Sequence, residues 1–205
     1  MKSEKIKKEL DDILKKLKNE SFELNNLSPN YSILEKDIYK KISSSLSNKT
    51  KGLVSSLYTE MSEKTLEEEF FKKSTKNSNE FRLLGLWSYL NKKYQFDFST
   101  KINFSEINEK KIPMVVPVAG VVASLVLGPP KVIVTSIGLI LSGLSHFLLK
   151  SRIKKVNKEE LNKSLNEFFK KLKEELYKWF ALIEKDYDEK VEELKRKLQS
   201  EEAKV

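Results

Sequence analysis

Few side chains in this sequence are arranged for catalysis. The single histidine, His146, lies in an apolar run, and no acidic residue has a spacing that would pair with it. No GxxxxGK[ST], GxGxxG or HExxH motif occurs, and a chain without cysteine forms no disulfide, thiolate nucleophile or cysteine-ligated metal site. We therefore expect no enzyme, catalytic residue, metal or cofactor. A packed or lipid-facing role suits His146 better than catalysis, and a pH-sensing role is the alternative.

Three acidic clusters are the remaining candidates for acid–base or metal chemistry. They are Asp11-Asp12, Glu67-Glu68-Glu69, and Asp186 with Asp188 and Glu189. Each cluster is interleaved with lysine at helical spacing, which is typical of solvent-exposed faces with i,i+4 ion pairs. Aromatic residues near lysines could stack on nucleic-acid bases. Their helical spacing instead favours core packing: Phe168, Phe169, Tyr177, Trp179 and Phe180.

The composition favours an acidic partner. Of the 205 residues, 34% are Asp, Glu, Lys or Arg, the formal net charge is +9 and the pI is near 9.4. Such a chain attracts anionic lipid, nucleic acid or an acidic protein. Nearly all the positive charge is lysine, which lacks the bidentate geometry of arginine, so we expect no sequence-specific nucleic-acid binding. The N-terminal MKSEKIKKELDDILKK has no signal-peptide core, which favours a cytoplasmic protein that associates with membranes through an internal segment.

Residues 112–149, here the apolar segment, differ from the rest of the chain. Lys131 is the only formal charge in it, and it holds four of the five prolines and four of the six glycines. Leu127-Gly128-Pro129-Pro130 interrupts any helix, because proline lacks an N–H and restricts the residue before it. The pattern predicts a helical hairpin. Its second arm, 132–149, would be about 27 Å long against a hydrocarbon core of about 30 Å.

The hairpin interpretation assigns roles to three sets of residues. The side chains predicted to enter lipid are Val118, Val121, Val122, Leu125, Val126, Leu127, Val132, Ile133, Ile137, Leu139, Ile140, Leu141, Leu144, Phe147 and Leu148. The second set comprises the hinge residues and a face of small residues that lets two helices approach closely: Pro117, Gly120, Ser124, Gly128, Pro129, Pro130, Gly138 and Ser142. A basic collar predicted to bind lipid headgroups comprises Lys110, Lys111, Lys150, Arg152, Lys154 and Lys155. The alternative is a hairpin buried permanently in a helical core.

The flanking sequence predicts an all-α, elongated bundle forming a single domain over 1–205. Its parts are a helical bundle (1–94), an extended lead-in (95–111), the hairpin (112–149) and a long C-terminal helix (150–205). Residues 4–27 predict an amphipathic helix. Its apolar positions are Ile6, Leu10, Ile13, Leu17, Leu24 and Leu27.

The helices that follow are less regular. A second helix is predicted from about Ser32, with a weakness at 43–52, resuming at Leu53 and continuing through Phe71. Residues 74–79 predict a loop, and 81–94 one helix in which Gly85 admits a close neighbour. Alternating apolar residues in 95–104 predict the extended lead-in. Residues 157–199 contain no Gly or Pro and predict one helix of about 60 Å, which pairs with the N-terminal helix or projects as a coiled coil.

The sequence VPVAGVVASLVLGPPKVIVTSIGLILSG, between long charged helices, resembles the membrane hairpin of two groups. One is the α-helical pore-forming toxins, and the other is the stalk and paddle region of bacterial dynamin-like proteins. The resemblance is one of type rather than of motif, and it implies membrane insertion. The chain has no nucleotide-binding domain, so any GTPase would be a separate polypeptide. Unlike the colicin-like toxins, it carries a long charged helix after the hairpin.

We therefore expect a protein that inserts its hairpin into anionic bilayers, as a pore or by remodelling, and that acts as a homo-oligomer or with a helical partner. The alternative is a soluble helical interaction or scaffold protein whose hairpin stays buried. A third interpretation, non-specific nucleic-acid binding through lysine, leaves the hairpin unexplained.

Overall fold

The computed structural model of the chain describes residues 1–27, 31–94 and 158–203, and the regular structure in these residues is entirely helical. The helices are α1 (Glu4–Leu27), α2 (Tyr31–Glu67), α3 (Glu69–Lys72), α4 (Thr75–Leu83), α5 (Leu86–Lys93) and α6 (Lys158–Glu202). The predicted all-α class is confirmed for this part of the chain. The extended lead-in and the hairpin lie outside the described residues.

Helix α1 has the predicted bounds, and Ser3 caps its first turn. The Ser3 hydroxyl accepts a hydrogen bond from the Ile6 N–H at 3.2 Å, which satisfies one of the donors that a helix start leaves free. The buried face of α1 differs from the prediction at one step, because Leu14 is 5% exposed and Ile13 only partly buried. The four-residue step from Leu10 to Leu14 keeps the two leucines on one line of the helix.

Helix α2 is continuous, so the weakness predicted at 43–52 is wrong. Ile42 before that region, Leu46 within it, and Leu53 and Leu57 after it are all buried at helical steps. The hydroxyl of Thr50, itself buried, donates to the Leu46 carbonyl at 2.6 Å, a bond that a helix accommodates within its own turn. Burial of this face outweighs the low helix propensity of the serines and glycine.

The predicted continuation of α2 through Phe71 is also wrong, because the helix ends at Glu67. Glu68 adopts extended dihedrals (φ −61°, ψ 138°) before the short helix α3. The break turns Phe71 into the core, where it is fully buried, with the Lys195 ammonium over its ring. Glu68 itself pairs with Lys195 at 2.7 Å. These tertiary contacts outweigh the continuous local helix pattern.

The predicted loop at 74–79 belongs instead largely to α4. The Ser74 hydroxyl accepts a hydrogen bond from the Asn77 N–H at 3.2 Å and caps the helix. Asn77 and Ser78 donate from their side chains to the carbonyls of Phe70 and Phe71. Ser74, Asn77 and Ser78, which are residue types common in loops, thus form hydrogen bonds with backbone groups where α3 meets α4.

The single helix predicted at 81–94 is two helices, α4 and α5, joined at Gly85. Gly85 has φ +63°, a left-handed conformation that glycine adopts without steric cost. A Cβ built there would have its nearest neighbour, the Leu83 carbonyl oxygen, at 4.0 Å. Gly85 is therefore needed for the left-handed turn. It does not make room for a close neighbouring helix, as the sequence predicted.

Helix α6 pairs with α1, the first of the two predicted arrangements. Asp11 bonds Lys173 and Lys2 bonds Glu184, so rising numbers in one helix match falling numbers in the other and the helices are antiparallel. Helix α6 buries an apolar stripe from Leu165 onward: Leu165, Phe168, Leu172, Leu176, Trp179, Ile183, Tyr187, Val191, Leu194 and Leu198. Phe169 and Phe180 are also buried, which confirms core packing for Phe168, Phe169, Trp179 and Phe180. The fifth aromatic, Tyr177, is only partly buried.

Two glycine substitutions test the local geometry with opposite expected signs. Gly52→Ala should raise the free energy of unfolding by about 0.5–1 kcal/mol, since an exposed helical glycine gains helix propensity there and its Cβ would meet no atom within 4 Å. Gly85→Ala should lower it by about 1–2 kcal/mol because of its positive φ. Urea unfolding followed by circular dichroism measures both. Shifts of the same sign would contradict this description of α2 and of the α4–α5 junction.

Candidate functional site

The residues predicted to enter lipid, to hinge or to bind headgroups all lie between 110 and 155, outside the described residues. The structure describes the helices on either side of them. Helix α5 ends at Lys93, and α6 begins at Lys158. The structure therefore shows how the chain is attached on either side of the candidate site. We call the chain up to Tyr94 the N-terminal flank and the chain from Lys158 onward the C-terminal flank.

The N-terminal flank is attached through Tyr94. This side chain is 3% exposed, and its ring makes an edge-on contact with Trp179 at a centroid distance of 6.4 Å. The Tyr94 hydroxyl donates to Asp186 at 2.7 Å and lies 3.1 Å from the Leu182 carbonyl oxygen. The last described residue of this flank is thus fixed to the middle of α6 by apolar and polar contacts together.

Three donors converge on the Asp186 carboxylate, whose side chain is 16% exposed. Besides Tyr94, they are the Tyr89 hydroxyl at 3.4 Å and the Lys93 ammonium, which also donates to the Tyr89 oxygen. We call Tyr89, Lys93, Tyr94 and Asp186 the Asp186 cluster. It holds the last turn of α5 against α6 immediately before the lead-in to the apolar segment.

Electrostatics keep two donors of the Asp186 cluster, Tyr94 and Lys93, protonated. Burial raises the pKa of the Tyr94 hydroxyl above its ordinary value of 10.0, and the bond to Asp186 raises it further. For Lys93, burial lowers the pKa, but the bonds to Asp186 and Tyr89 outweigh burial and the net shift is upward. Both groups therefore remain donors at neutral pH.

The C-terminal flank is attached through the first half of α6, which lies against α1. Asp11 accepts hydrogen bonds from the Lys173 ammonium and the Tyr177 hydroxyl. Burial would raise the pKa of Asp11, but these two bonds outweigh it and hold the pKa below its ordinary value of 3.8. Lys41 of α2 likewise pairs with Glu20 of α1 at 3.2 Å.

The start of α1 is fixed by Glu184, a carboxylate that is 3% exposed in the stripe of α6. It accepts hydrogen bonds from the backbone N–H of Lys2, at 2.8 and 2.6 Å to its two oxygens, and from that of Ser3 at 2.9 Å. The Ser3 hydroxyl donates to Glu60 of α2 at 2.6 Å. These contacts join α1, α2 and α6 at one level and set their register.

The two flanks meet α6 at different heights. Tyr94 contacts Leu182 and Asp186, whereas the chain rejoins the helix at its first residue, Lys158. At 1.5 Å per residue these levels are about 36 Å apart along the helix axis. The residues between the flanks therefore connect two separated points of one rigid element.

A cavity of about 160 Å³ lies beside Glu184, between α2, α6 and the residues that precede α1. Its charged lining residues have both signs, and most of them are paired. Lys2 bonds Asp188 at 2.6 Å, and Lys64 bonds Glu60 at 2.6 Å. No group of three acidic or histidine side chains suited to a metal ion occurs among the described residues. The arrangement is that of a helix junction.

Sequence reasoning assigned the acidic clusters to solvated faces, and the structure corrects this in part. Glu189 does pair with Lys185 within α6, as expected. Asp11 and Asp186 instead bond groups on other helices, and Asp188 bonds Lys2, which lies just before α1. Glu184 was missed, although a signal existed, since it interrupts the apolar series Phe180, Tyr187, Val191 at helical steps of four, three and four. A carboxylate at a buried position of a helix indicates that hydrogen-bond donors lie close to it in the fold.

No protein-family model, curated protein or solved structure matches the chain. Within residues 1–27, 31–94 and 158–203, no helix combines the length and apolar character needed to cross a bilayer.

Replacing Glu184 tests whether the start of α1 is held by a buried charge. Glu184→Gln should lower the free energy of unfolding by about 2–3 kcal/mol, because the amide nitrogen would face backbone N–H donors. Glu189→Gln, on the same helix with its side chain 62% exposed, is the matched control and should change it by less than about 0.5 kcal/mol. Equal effects of the two substitutions, measured by urea unfolding, would contradict the assigned role of Glu184.

Acid should weaken the attachment of α1 to its neighbours. Bonds from Lys64 and Ser3 hold the pKa of Glu60 below its ordinary value of 4.5, and the pKa of Asp11 is also lowered. A lowered carboxyl pKa contributes stability that is present above the ordinary value and is lost as the pH falls through the folded-state pKa. Stability should therefore fall with decreasing pH below about 4.5. The double variant Asp11→Asn, Glu60→Gln should be less stable at pH 6 and lose less on acidification; parallel pH profiles would refute the assignment.

Proposed function

We propose that this protein binds anionic bilayers and inserts the apolar segment as a helical hairpin, forming a pore or remodelling the membrane as an oligomer. The observation that carries the proposal is the contrast between the segment and its chain. Thirty-eight consecutive residues, 112–149, contain one formal charge in a protein that is 34% charged. The second arm is about as long as a bilayer core is thick.

Charge at the two ends of the segment supports an anionic surface as the target. The basic collar places Lys110 and Lys111 before the segment and Lys150, Arg152, Lys154 and Lys155 after it. Each basic residue near such a surface contributes about 1 kcal/mol of attraction. The overall charge of +9 acts in the same direction. Binding through the collar would precede insertion.

The described helices support the proposal by supplying a rigid frame for the segment. Helix α5 is fixed through the Asp186 cluster, and α6 is fixed along α1 by Asp11 and Glu184. The apolar segment can then rearrange and insert while α5 stays packed on α6 and α6 stays packed on α1. The resemblance to the membrane hairpins of α-helical toxins and dynamin-like proteins fits this division between frame and insert.

Dye leakage from vesicles tests the insertion. The wild-type chain should release dye from vesicles rich in phosphatidylserine, and release should persist at moderate salt, since insertion is apolar once binding has occurred. Val126→Asp should lower the leakage rate at least about tenfold while surface binding continues, because an aspartate carried into the hydrocarbon core costs up to about 2.5–3.5 kcal/mol. Gln199→Asp, at an exposed position of α6, changes the charge equally and should leave leakage unchanged.

Three outcomes decide between functions. Leakage reduced by Val126→Asp alone supports insertion. Absence of binding at low salt, combined with concentration-dependent self-association, would favour the scaffold function instead. Equal leakage from the wild type and Val126→Asp would show that the apolar segment is not the inserting part.

A further inference from the structure

The two stretches that connect the apolar segment to the described helices differ in length. Residues 95–111 separate Tyr94 from Ile112, and residues 150–157 separate Leu149 from Lys158. A polypeptide covers at most about 3.3–3.6 Å per residue when fully extended. The longer stretch can therefore reach about 60 Å, whereas the shorter one can reach only about 30 Å.

The shorter stretch limits how the helices can be oriented on a bilayer. A hairpin that enters from one side has both ends at the same surface, so Leu149 at that surface holds Lys158 within about 30 Å of it. Helix α6 spans 45 residues, and its two ends are about 66 Å apart. If α6 stood with Glu202 toward the bilayer, Lys158 would be about 66 Å away and Leu149 could not reach the lipid. The length of the chain excludes that orientation.

We infer that the helical bundle meets an anionic bilayer with the end at which α6 begins, and that the Glu202 end of α6 points away from the lipid. The inference rests on the proposed function, because it takes the bilayer as the partner and the apolar segment as the inserted hairpin. It adds which surface of the folded helices faces the lipid.

The unequal stretches fit this orientation. With Lys158 nearest the lipid, the N-terminal flank leaves α6 about 36 Å farther from the surface, at the level where Tyr94 contacts Leu182. The longer stretch starts from this more distant flank, and its reach of about 60 Å exceeds the 36 Å that it has to cover. Neither α5 nor α6 has to leave the bundle for the hairpin to insert.

The surface that faces the lipid is formed by the last turns of α1 and the first turns of α6. The antiparallel pairing of the two helices, with Asp11 on Lys173, places these turns side by side. The exposed side chains here are polar and have both charges, and they include Glu23, Glu159, Lys163 and Asn166. Such a surface suits the headgroup region, and the apolar segment alone would enter the hydrocarbon.

Charge favours an upright bundle over one that lies flat. The bonds from Asp11 to Lys173, from Ser3 to Glu60 and from Lys41 to Glu20 match the levels of α1, α2 and α6. On the Lys158 side of Asp11, residues 12–27, 31–50 and 158–177 contain 12 basic and 10 acidic residues. On the other side, residues 1–11, 51–94 and 178–203 contain 18 basic and 17 acidic residues. The described helices are thus nearly balanced at both ends.

Residues 150–157 break this balance, because they add four basic residues and no carboxylate beside Lys158. Each basic residue near an anionic surface raises the binding constant about fivefold. An anionic bilayer therefore attracts the end at which α6 begins more strongly than the opposite end.

Fluorescence transfer to labelled lipid headgroups measures which end faces the bilayer. The chain contains no cysteine, so Asn166→Cys and Gln199→Cys can each carry a single donor dye. Both positions are exposed on α6, and about 50 Å separates them along the helix. With phosphatidylserine vesicles that contain rhodamine-labelled lipid, transfer from 166 should be strong, and transfer from 199 should lose most of that efficiency. Equal transfer would show a flat bundle and stronger transfer from 199 a reversed one, and either result overturns the inference.

A third label separates this inference from the proposed function. The dye NBD on Val126→Cys should be quenched by nitroxides placed deep in the acyl chains if the segment inserts. Quenching at 126 with equal transfer from 166 and 199 overturns the inference alone. Stronger transfer from 166 without quenching at 126 supports the orientation and overturns insertion, whereas no transfer and no quenching overturn both.

A matched pair of charge variants tests the orientation without labels. Lys154→Gln should weaken binding to phosphatidylserine vesicles about fivefold. Arg196→Gln removes the same charge from an exposed position on α6. It should have little effect, because Arg196 lies about 57 Å along the helix from Lys158, several times the screening length of about 8–10 Å. Equal weakening by the two variants would overturn the inference, since it would show that both ends lie equally close to the lipid.

Discussion

Glu184 lies in the apolar stripe of α6 and accepts hydrogen bonds from the backbone N–H groups of Lys2 and Ser3. A carboxylate this deeply buried is tolerated only where donors meet it, and a slip of one helical turn between α1 and α6 would leave it without them. One interaction therefore determines the register of the pair. The contact between Asp11 and Lys173, further along both helices, follows from the same register.

That register also decides what the rest of α6 can contact. Lys2 meets Glu184, so α6 continues for eighteen residues beyond the start of α1 before it ends at Glu202. The C-terminal end of α2 and the short helices α3 and α4 cover this extension, with Phe71 and Phe81 in its core and Lys76 paired to Glu201. Helix α5 is then placed beside Asp186, where the chain departs toward the apolar segment. The positions of both flanks thus depend on the pairing of α1 with α6, outside the apolar segment itself.

Regular, strongly periodic elements were predictable from the sequence. The bounds of α1 and nearly those of α6 follow from apolar residues that recur at helical steps without Gly or Pro between them. The breaks at Glu68 and Gly85 were not predictable, because the local pattern continues through both and the bends are stabilised by contacts distant in sequence, such as that of Phe71 with Lys195. The wrongly predicted loop at 74–79 is a different case, because its hydrogen bonds are local: the Asn77 N–H bonds Ser74 three residues before it, and the Asn77 side chain bonds the Phe70 carbonyl seven residues before it. Ser74 was therefore recognisable as an N-cap. Asp186 resembled an ordinary surface carboxylate in a lysine-rich helix, whereas the position of Glu184 in the apolar series of α6 was a usable signal of burial.

The central claim is that the apolar segment moves into a bilayer while α1, α2 and α6 keep their packing. Hydrogen exchange followed by mass spectrometry, with and without phosphatidylserine vesicles, measures both parts in one experiment. Exchange across 112–149 should slow markedly when vesicles are added, while exchange in α1, α2 and α6 stays the same. Unchanged exchange across 112–149, or faster exchange throughout α6, would contradict the account.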